Sequence, residues 1–303
     1  MTRGLGDRPV VTVLVGAVAI VFSGILFRLS HVSPSTGAVF RCVFALPPLW
    51  MLARIEDRRA GPRPLRARML AWIAGIFFSA DLVLWHNAIE QVGAGLATVL
   101  GNTQVVLVGV IAWALLRERP QRSALLAIPI VATGVVLISG ALEQGAYGRN
   151  PPLGALFGLL TGIAYSGFLL VVREGNRELK RAAGPLFDAT LTSALATAVI
   201  GLVVGDLDLT PSSAATGWLV LLALSSQVLG WLLISSSLPR LPAVLTSVLL
   251  TLQPVCSVVF AALIVSESPS PLQLVGAACI LAGLVTATVG RREPAVPEPE
   301  LAG

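Results

Sequence analysis

Arg41 and Asp81 interrupt stretches that are otherwise largely apolar. An ionisable group in such a setting pairs with another, lines a wet cavity or meets a ligand. At a helical rise of about 1.5 Å per residue, Arg41 lies roughly 10 Å and Asp81 roughly 12 Å from the same boundary of their stretches, so the two could meet. Two chemistries stand open. The pair could form a buried ion pair locking two helices together, or it could present charge to a charged ligand, with Asp81 also exchanging a proton. Gln104 and Gln253 recur at matching places near the middle of two further stretches. There an amide either joins neighbouring helices, for only about 0.6 kcal/mol on average, or hydrogen-bonds a ligand. Asn102 and Thr103 make the first of these positions unusually polar. Tyr165, which matches Phe22, places a phenol at a depth where it needs a partner, and Trp231 sits deep enough to stack on a ligand or on the core. His86 follows Trp85 near the end of its stretch, where an imidazole titrates or makes an interfacial hydrogen bond.

Other reactive residue types fall in patterns without chemistry. Cys42, Cys256 and Cys279 lie in apolar stretches, without the close spacing of a zinc site or a disulfide framework, and read as buried thiols. Asp206 and Asp208 share a loop and read as solvated. Glu118 and Glu267 end equivalent stretches on opposite faces and read as capping or packing residues ahead of gating ones. No metal or cofactor motif is present.

These residues are carried by elements of one kind. The 303 residues are 55% hydrophobic and 12% charged, with mean hydropathy +0.84, outside the range of soluble domains. Apolar runs long enough to cross a hydrocarbon core of roughly 30 Å extend over Val10 to Phe27, Pro34 to Ala53, Met69 to Ala88, Gly95 to Leu116 and Ser123 to Ser139. A second set covers Leu153 to Val172, Pro185 to Gly205, Gly217 to Leu238, Ala243 to Val265 and Pro271 to Val289. The expected fold class is an all-α integral membrane protein of ten transmembrane helices. Trp50, Trp72, Trp85, Trp113 and Trp218 lie near span ends and read as an interfacial belt. Pro47, Pro48, Pro129 and Pro254 are expected to kink their spans, with freed carbonyls available to a cavity. Ala278 and Ala282, and Cys279 and Gly283, give helix ten the spacing of close helix contact, within the chain or in a homodimer.

The basic residues set an orientation. Arg28 and Arg149 fall in loops on one face, Arg41 lies in a span, and the rest of the 21 Lys and Arg residues fall on the other face. Basic loops stay cytoplasmic, so both termini are placed in the cytoplasm of a cell that inserts the chain in its inner membrane. The run after Arg3 and Arg8 is too long for a cleaved signal and reads as the first span. The net charge of +5 is scattered among loops without aromatic platforms, which argues against nucleic acid as a partner.

The chain repeats. One constant offset places Gln104 on Gln253, Ala94 on Ala243, Gly134 on Gly283 and Glu118-Arg119-Pro120 on Glu267-Ser268-Pro269. Pro34 matches Pro185 at a slightly different offset. The expected units are 9–140 and 152–290, followed by a disordered tail, 291–303. A unit of five spans is odd in number, so its second copy enters the membrane from the opposite side, and inverted repeats are a mark of transporters. Asp81 aligns with Gly230 and Arg41 with Thr192, so any charge chemistry belongs to the first repeat. A phosphate loop of the form G-x-x-x-x-G-K-[ST] is absent, and the single lysine, Lys180, lacks that context. A channel or receptor is the competing class. A membrane enzyme is more distant, since no Ser–His pair or metal-binding carboxylate cluster appears at helix depth.

With these motifs the chain resembles the drug/metabolite transporter superfamily, specifically proteins with two EamA domains. The resemblance rests on Ser237-Leu238-Pro239-Arg240-Leu241-Pro242-Ala243, Gln253-Pro254-Val255, Glu267 and Gly276 to Gly283 in the second half. In the first half it rests on Pro34, Arg41, Ala88, Glu118 and Gly134. Gln104-Val105 departs from the usual residue-Pro motif, and the first span lacks the common Trp-Gly pair. The resemblance implies alternating access around a central cavity, without ATP, and often efflux of amino acids, related metabolites or toxic organics.

Overall fold

The computed structural model describes residues 9–117, 122–175, 181–237 and 243–289. Glu118, Lys180, the segment from Leu238 to Pro242 and the tail 291–303 lie outside the described residues. Everything described is helix and short connection. The helices are α1 (Pro9–Val21), α2 (Ser23–Ser30), α3 (Pro34–Ala60), α4 (Leu65–Val92), α5 (Ala94–Gly101), α6 (Gln104–Leu116) and α7 (Arg122–Ile138) in the first half. The second half has α8 (Pro151–Gly175), α9 (Ala183–Val204), α10 (Ser213–Leu222), a π-helical segment (Ala223–Gly230), α11 (Trp231–Ser237), α12 (Ala243–Val265) and α13 (Pro271–Val289). Eight spans are long and apolar enough to cross a membrane; Arg122–Ile138 and Thr251–Val265 are shorter apolar helices.

The ten expected spans are present, but three are broken. The first divides at Phe22 into α1 and α2, the fourth divides at Asn102 and Thr103 into α5 and α6, and the eighth widens into the π segment between α10 and α11. Local chemistry accounts for the other boundaries. Ser33 caps α3 by accepting from the Thr36 N–H, with Pro34 in the first turn, a place where proline's missing N–H costs nothing. Ser212 caps α10 in the same way. α3, α7 and α12 continue as helices through Pro47, Pro48, Pro129 and Pro254.

Packing follows a two-fold exchange of the halves. α4 lies against α8, and its counterpart, the α10–π–α11 span, lies against the α1–α2 span. α4 also meets α9, as the eighth span meets α3. α5 and α6 pack on α8, as α12 packs on α1 and α2. The pairs α3·α9, α5·α12 and α7·α13 each cross the exchange axis. This is the architecture of two inverted five-helix repeats. At the α7·α13 crossing the backbones nearly touch: a Cβ on Gly134 would come 2.6 Å from the Gly276 carbonyl oxygen, and one on Gly276 would come 2.8 Å from that of Gly134. The small-residue face of α13 that packs is therefore Gly276 and Gly283. Ala278 and Ala282 stay exposed.

A belt of exposed aliphatic side chains, including Leu126, Leu156, Leu195, Leu202, Val259 and Leu263, surrounds the bundle. On a protein in water such a belt would be an aggregation surface; around ten apolar helices it is a face for lipid. Trp50, Trp113 and Trp218 are exposed as expected of an interfacial belt.

Candidate functional site

The repeats enclose a cavity of about 540 Å³. Its walls come from single stripes of helices. α4 contributes Phe78, Asp81, Leu82 and Trp85, and α8 contributes Thr161, Tyr165, Leu169 and Arg173, each set at the three-to-four-residue spacing that shares a helix face. Gln104 stands where the fourth span breaks and Gln253 lies opposite on α12. Six of the seven candidate residues line this one space: Arg41, Asp81, Gln104, Gln253, Tyr165 and Trp231.

His86 does not. It is fully buried, its ring stacks 3.9 Å from that of Phe27 at 6°, and its Nδ1 lies 3.0 Å from the Pro34 carbonyl oxygen. It joins α4 to the start of α3 inside the core, not at an interface. Trp85, expected in the interfacial belt, lines the cavity instead. Its distance from the helix end suggested an interface, but it lies four residues after Asp81 and shares that inward face.

Arg41 and Asp81 form no ion pair among the described residues, although both are buried. The Arg41 guanidinium donates from Nε to Gln227 Oε1 at 3.0 Å and from Nη2 to Ser226 Oγ at 3.4 Å, and it lies 5.8 Å from the Trp85 ring centre. Gln227 is in turn held by its Nε2 donating to Thr190 Oγ1 at 3.2 Å. A chain of neutral groups from α9 through the π segment thus aims a charge on α3. Sequence reasoning missed Gln227 and Ser226. The signal was a pair of adjacent polar residues in the eighth span, and their convergence depends on the wider turn of a π helix.

The Asp81 carboxylate and the Tyr165 hydroxyl have no hydrogen-bond partner among the described residues, nor have the side-chain amides of Gln104 and Gln253. Neither glutamine side chain bonds a neighbouring helix among the described residues; it is the Gln104 backbone carbonyl that accepts from Ser166 Oγ of α8, at 3.4 Å. Around Trp231 the rings of Phe168, Tyr165 and Phe78 lie at 5.6, 6.0 and 6.2 Å, all near perpendicular, the edge-to-face arrangement that ring quadrupoles favour. Among the described residues the cavity therefore offers an aromatic wall, one unpartnered carboxylate, one guanidinium whose Nη1 has no hydrogen-bond partner, and two side-chain amides without one. Phe22 packs on Phe260 instead of lining the space.

The two ends of the cavity differ. Toward the basic-loop face it continues past Ile234 to Arg173 and Thr288, close to the ends of α8 and α13. Toward the other face it is closed by contacts between the repeats. Glu267 is buried and accepts the Ala94 and Gly95 N–H groups at 2.6 and 3.1 Å, capping α5, while Arg28 donates to it at 2.8 Å. Gly93, with φ +87°, admits this approach; a Cβ there would lie 2.6 Å from the Glu267 carboxyl. The Glu267 side chain thus caps a neighbouring helix. Gln273 donates to the Ile138 and Tyr147 carbonyls. The Asp206 carbonyl accepts from Ser33 and Thr36, and its carboxylate accepts from the Ser35 N–H. Asp206 is half-buried and engaged, contrary to the expectation of a solvated loop residue, whereas Asp208 is exposed.

A third intramembrane charge escaped notice in the sequence. Asp188, one turn into α9, has a fully buried side chain paired with Arg63 at 2.5 Å and with Arg68 at 3.5 Å. Beside it Glu56 accepts the Ala182, Ala183 and Gly184 N–H groups, capping α9. Arg63 from the loop before α4 and Arg68 from the first turn of α4, both at the basic-loop end, make this a structural charge.

Comparison with known proteins matches this architecture. The Bacillus subtilis (strain 168) protein described as uncharacterized transporter YwfM is 20% identical over 240 residues, covering 76% of this chain and 78% of that protein. A solved crystal structure superposes with a TM-score of 0.61 at 13% identity, covering 93% of this chain and 97% of its own, a likeness of fold alone. The model of the EamA-like transporter family matches residues 8–140 and again 152–289, so the chain belongs to that family.

Proposed function

We propose that this membrane transporter carries a small zwitterionic metabolite, an amino acid or a close relative, by alternating access and without ATP. The carrying observation is that one cavity presents an unpartnered carboxylate, Asp81, and a guanidinium held by neutral groups, Arg41, beside an aromatic wall. A ligand amine meets Asp81, a ligand carboxylate meets Arg41 Nη1, and an apolar side chain lies on Trp231. Gln104, Gln253 and Tyr165 orient the polar atoms. Asp81 exchanges a proton when the solute is absent, which couples transport to a proton gradient.

The contacts at Glu267 and Asp206 close one face while the cavity reaches the other. The near-symmetric packing of the repeats supplies a second arrangement with the openings reversed. With basic loops facing the cytoplasm of an inner-membrane protein, this conformation loads from the cytoplasm, and export is the favoured direction.

Counterflow tests it. Proteoliposomes preloaded with single unlabelled amino acids, nucleosides or organic cations are diluted into trace labelled solute. Saturable, transient accumulation driven by at least one amino acid is expected, and its loss in Arg41→Gln. Flux that neither saturates nor shows counterflow would make the protein a channel and sink this reading.

A further inference from the structure

The exposed stripe of α3 changes character along its length. Val43, Trp50, Met51 and Ile55 are exposed apolar side chains, 40, 50, 54 and 38% accessible. Arg54 and Arg58 follow at four-residue steps from Trp50, exposed on the same face. Together with Asp57 and Pro62, most of these residues line a second, shallow groove of about 540 Å³ at the basic-loop end of α3. The groove is apolar toward the membrane middle and cationic toward its edge.

Charge in the groove is unbalanced. The Asp57 carboxylate accepts from Arg63 and Arg181, each at 3.2 Å, so its charge is engaged by arginines outside the groove. Among the described residues Arg54 and Arg58 have no carboxylate partner. The Arg54 guanidinium lies 5.5 Å from the Trp50 ring centre. Stacking of this kind fixes the guanidinium plane and leaves its edge N–H groups free to donate. An aromatic ring at the interface, two unpaired guanidinium groups one turn apart and an apolar track below them match a phosphate carrying acyl chains.

We propose that this groove binds an anionic phospholipid of the leaflet on the basic-loop side. Arg54 and Arg58 hold the phosphodiester, and the chains lie along Trp50, Met51 and Val43. This site is separate from the transport cavity and stands whether or not the cavity carries a solute. A soluble phosphate shares the headgroup chemistry but not the apolar track.

The full-length protein is reconstituted in phosphatidylcholine vesicles containing phosphatidylglycerol, with bromine on the chains of one lipid or the other. Quenching of tryptophan fluorescence is read, and subtraction of the Trp50→Phe variant isolates the Trp50 signal. Brominated phosphatidylglycerol is expected to quench Trp50 at roughly a thirtieth of the mole fraction that brominated phosphatidylcholine needs, the scale of two basic side chains at an anionic lipid. Arg54→Gln/Arg58→Gln brings the two lipids to parity. Arg54→Lys/Arg58→Lys keeps most of the preference, and Arg59→Gln on the neighbouring face keeps all of it. Parity in the wild-type protein, or a preference that survives the double glutamine variant, overturns the site. Relief of quenching by millimolar glycerophosphoglycerol or inorganic phosphate shows that free phosphate is the ligand and overturns the lipid assignment.

Discussion

Asp81 and Asp188 are two buried carboxylates with opposite surroundings. Asp81 faces the cavity and among the described residues has no hydrogen bond or ion pair to lose, so Asp81→Asn removes a charge without breaking such a contact. Its thermal unfolding in detergent should match that of the wild type, while uptake driven by a pH gradient in liposomes disappears; full pH-driven activity would remove Asp81 from the coupling step. Asp188 is held by Arg63 and Arg68 with its side chain wholly buried. Arg63→Ala leaves that charge short of its nearer partner and should destabilise the fold by about 3 kcal/mol. Adding Asp188→Asn should restore most of the loss, which a pair of thermal melts checks. One residue type, buried in both places, thus yields a transport phenotype in one and a folding phenotype in the other.

Helices meet in this bundle through two kinds of contact, and each makes its own prediction. At the α7·α13 crossing no side chain separates Gly134 from Gly276. Gly134→Val forces the backbones apart and should cost about 1–3 kcal/mol, seen as a lower melting temperature and unchanged solute affinity in the protein that remains folded. At the closed face the contact is electrostatic: the α5 N-terminus and Arg28 both meet the Glu267 carboxylate. Glu267→Gln keeps the shape but removes the charge that favours both partners. The closed face should then open more often. A cysteine at Ser23, in a background with the three native cysteines removed, should react several-fold faster with an impermeant maleimide added from that face. Equal labelling rates would show that Glu267 does not hold the face shut.

At the scale of the whole molecule the loop charges predict an orientation, and the exchange of the halves underlies the mechanism we propose. A fluorescent protein fused after Gly303 should fluoresce in the cytoplasm, and alkaline phosphatase inserted between Leu209 and Pro211 should be active outside it. The opposite pattern would invert the cavity's opening and with it the favoured direction of transport. The exchange of halves is incomplete at one instructive place. Where the first repeat carries Asp81, the second carries Gly230, and a Cβ there would lie 2.6 Å from Ile20. The second repeat uses that position to bring α1 and the π segment into contact, leaving no room for a charged side chain.

The amino-acid sequence alone determined the solvent, the number of spans, the repeat and the family, because apolar runs of membrane length, loop charge and a constant offset are properties of the chain read in one dimension. It also picked six residues that share a cavity, since polar groups within apolar runs are few. Tertiary structure alone decided what those groups touch. Depth along a helix is legible from counting, but the direction of a side chain depends on helix phase and on its neighbours; hence Trp85 turned inward and His86 passed into the core. Arg41 and Asp81 stood at matching depth, yet Gln227 and Ser226, brought across by a π-helical turn from the other repeat, took the guanidinium and left the carboxylate to the cavity.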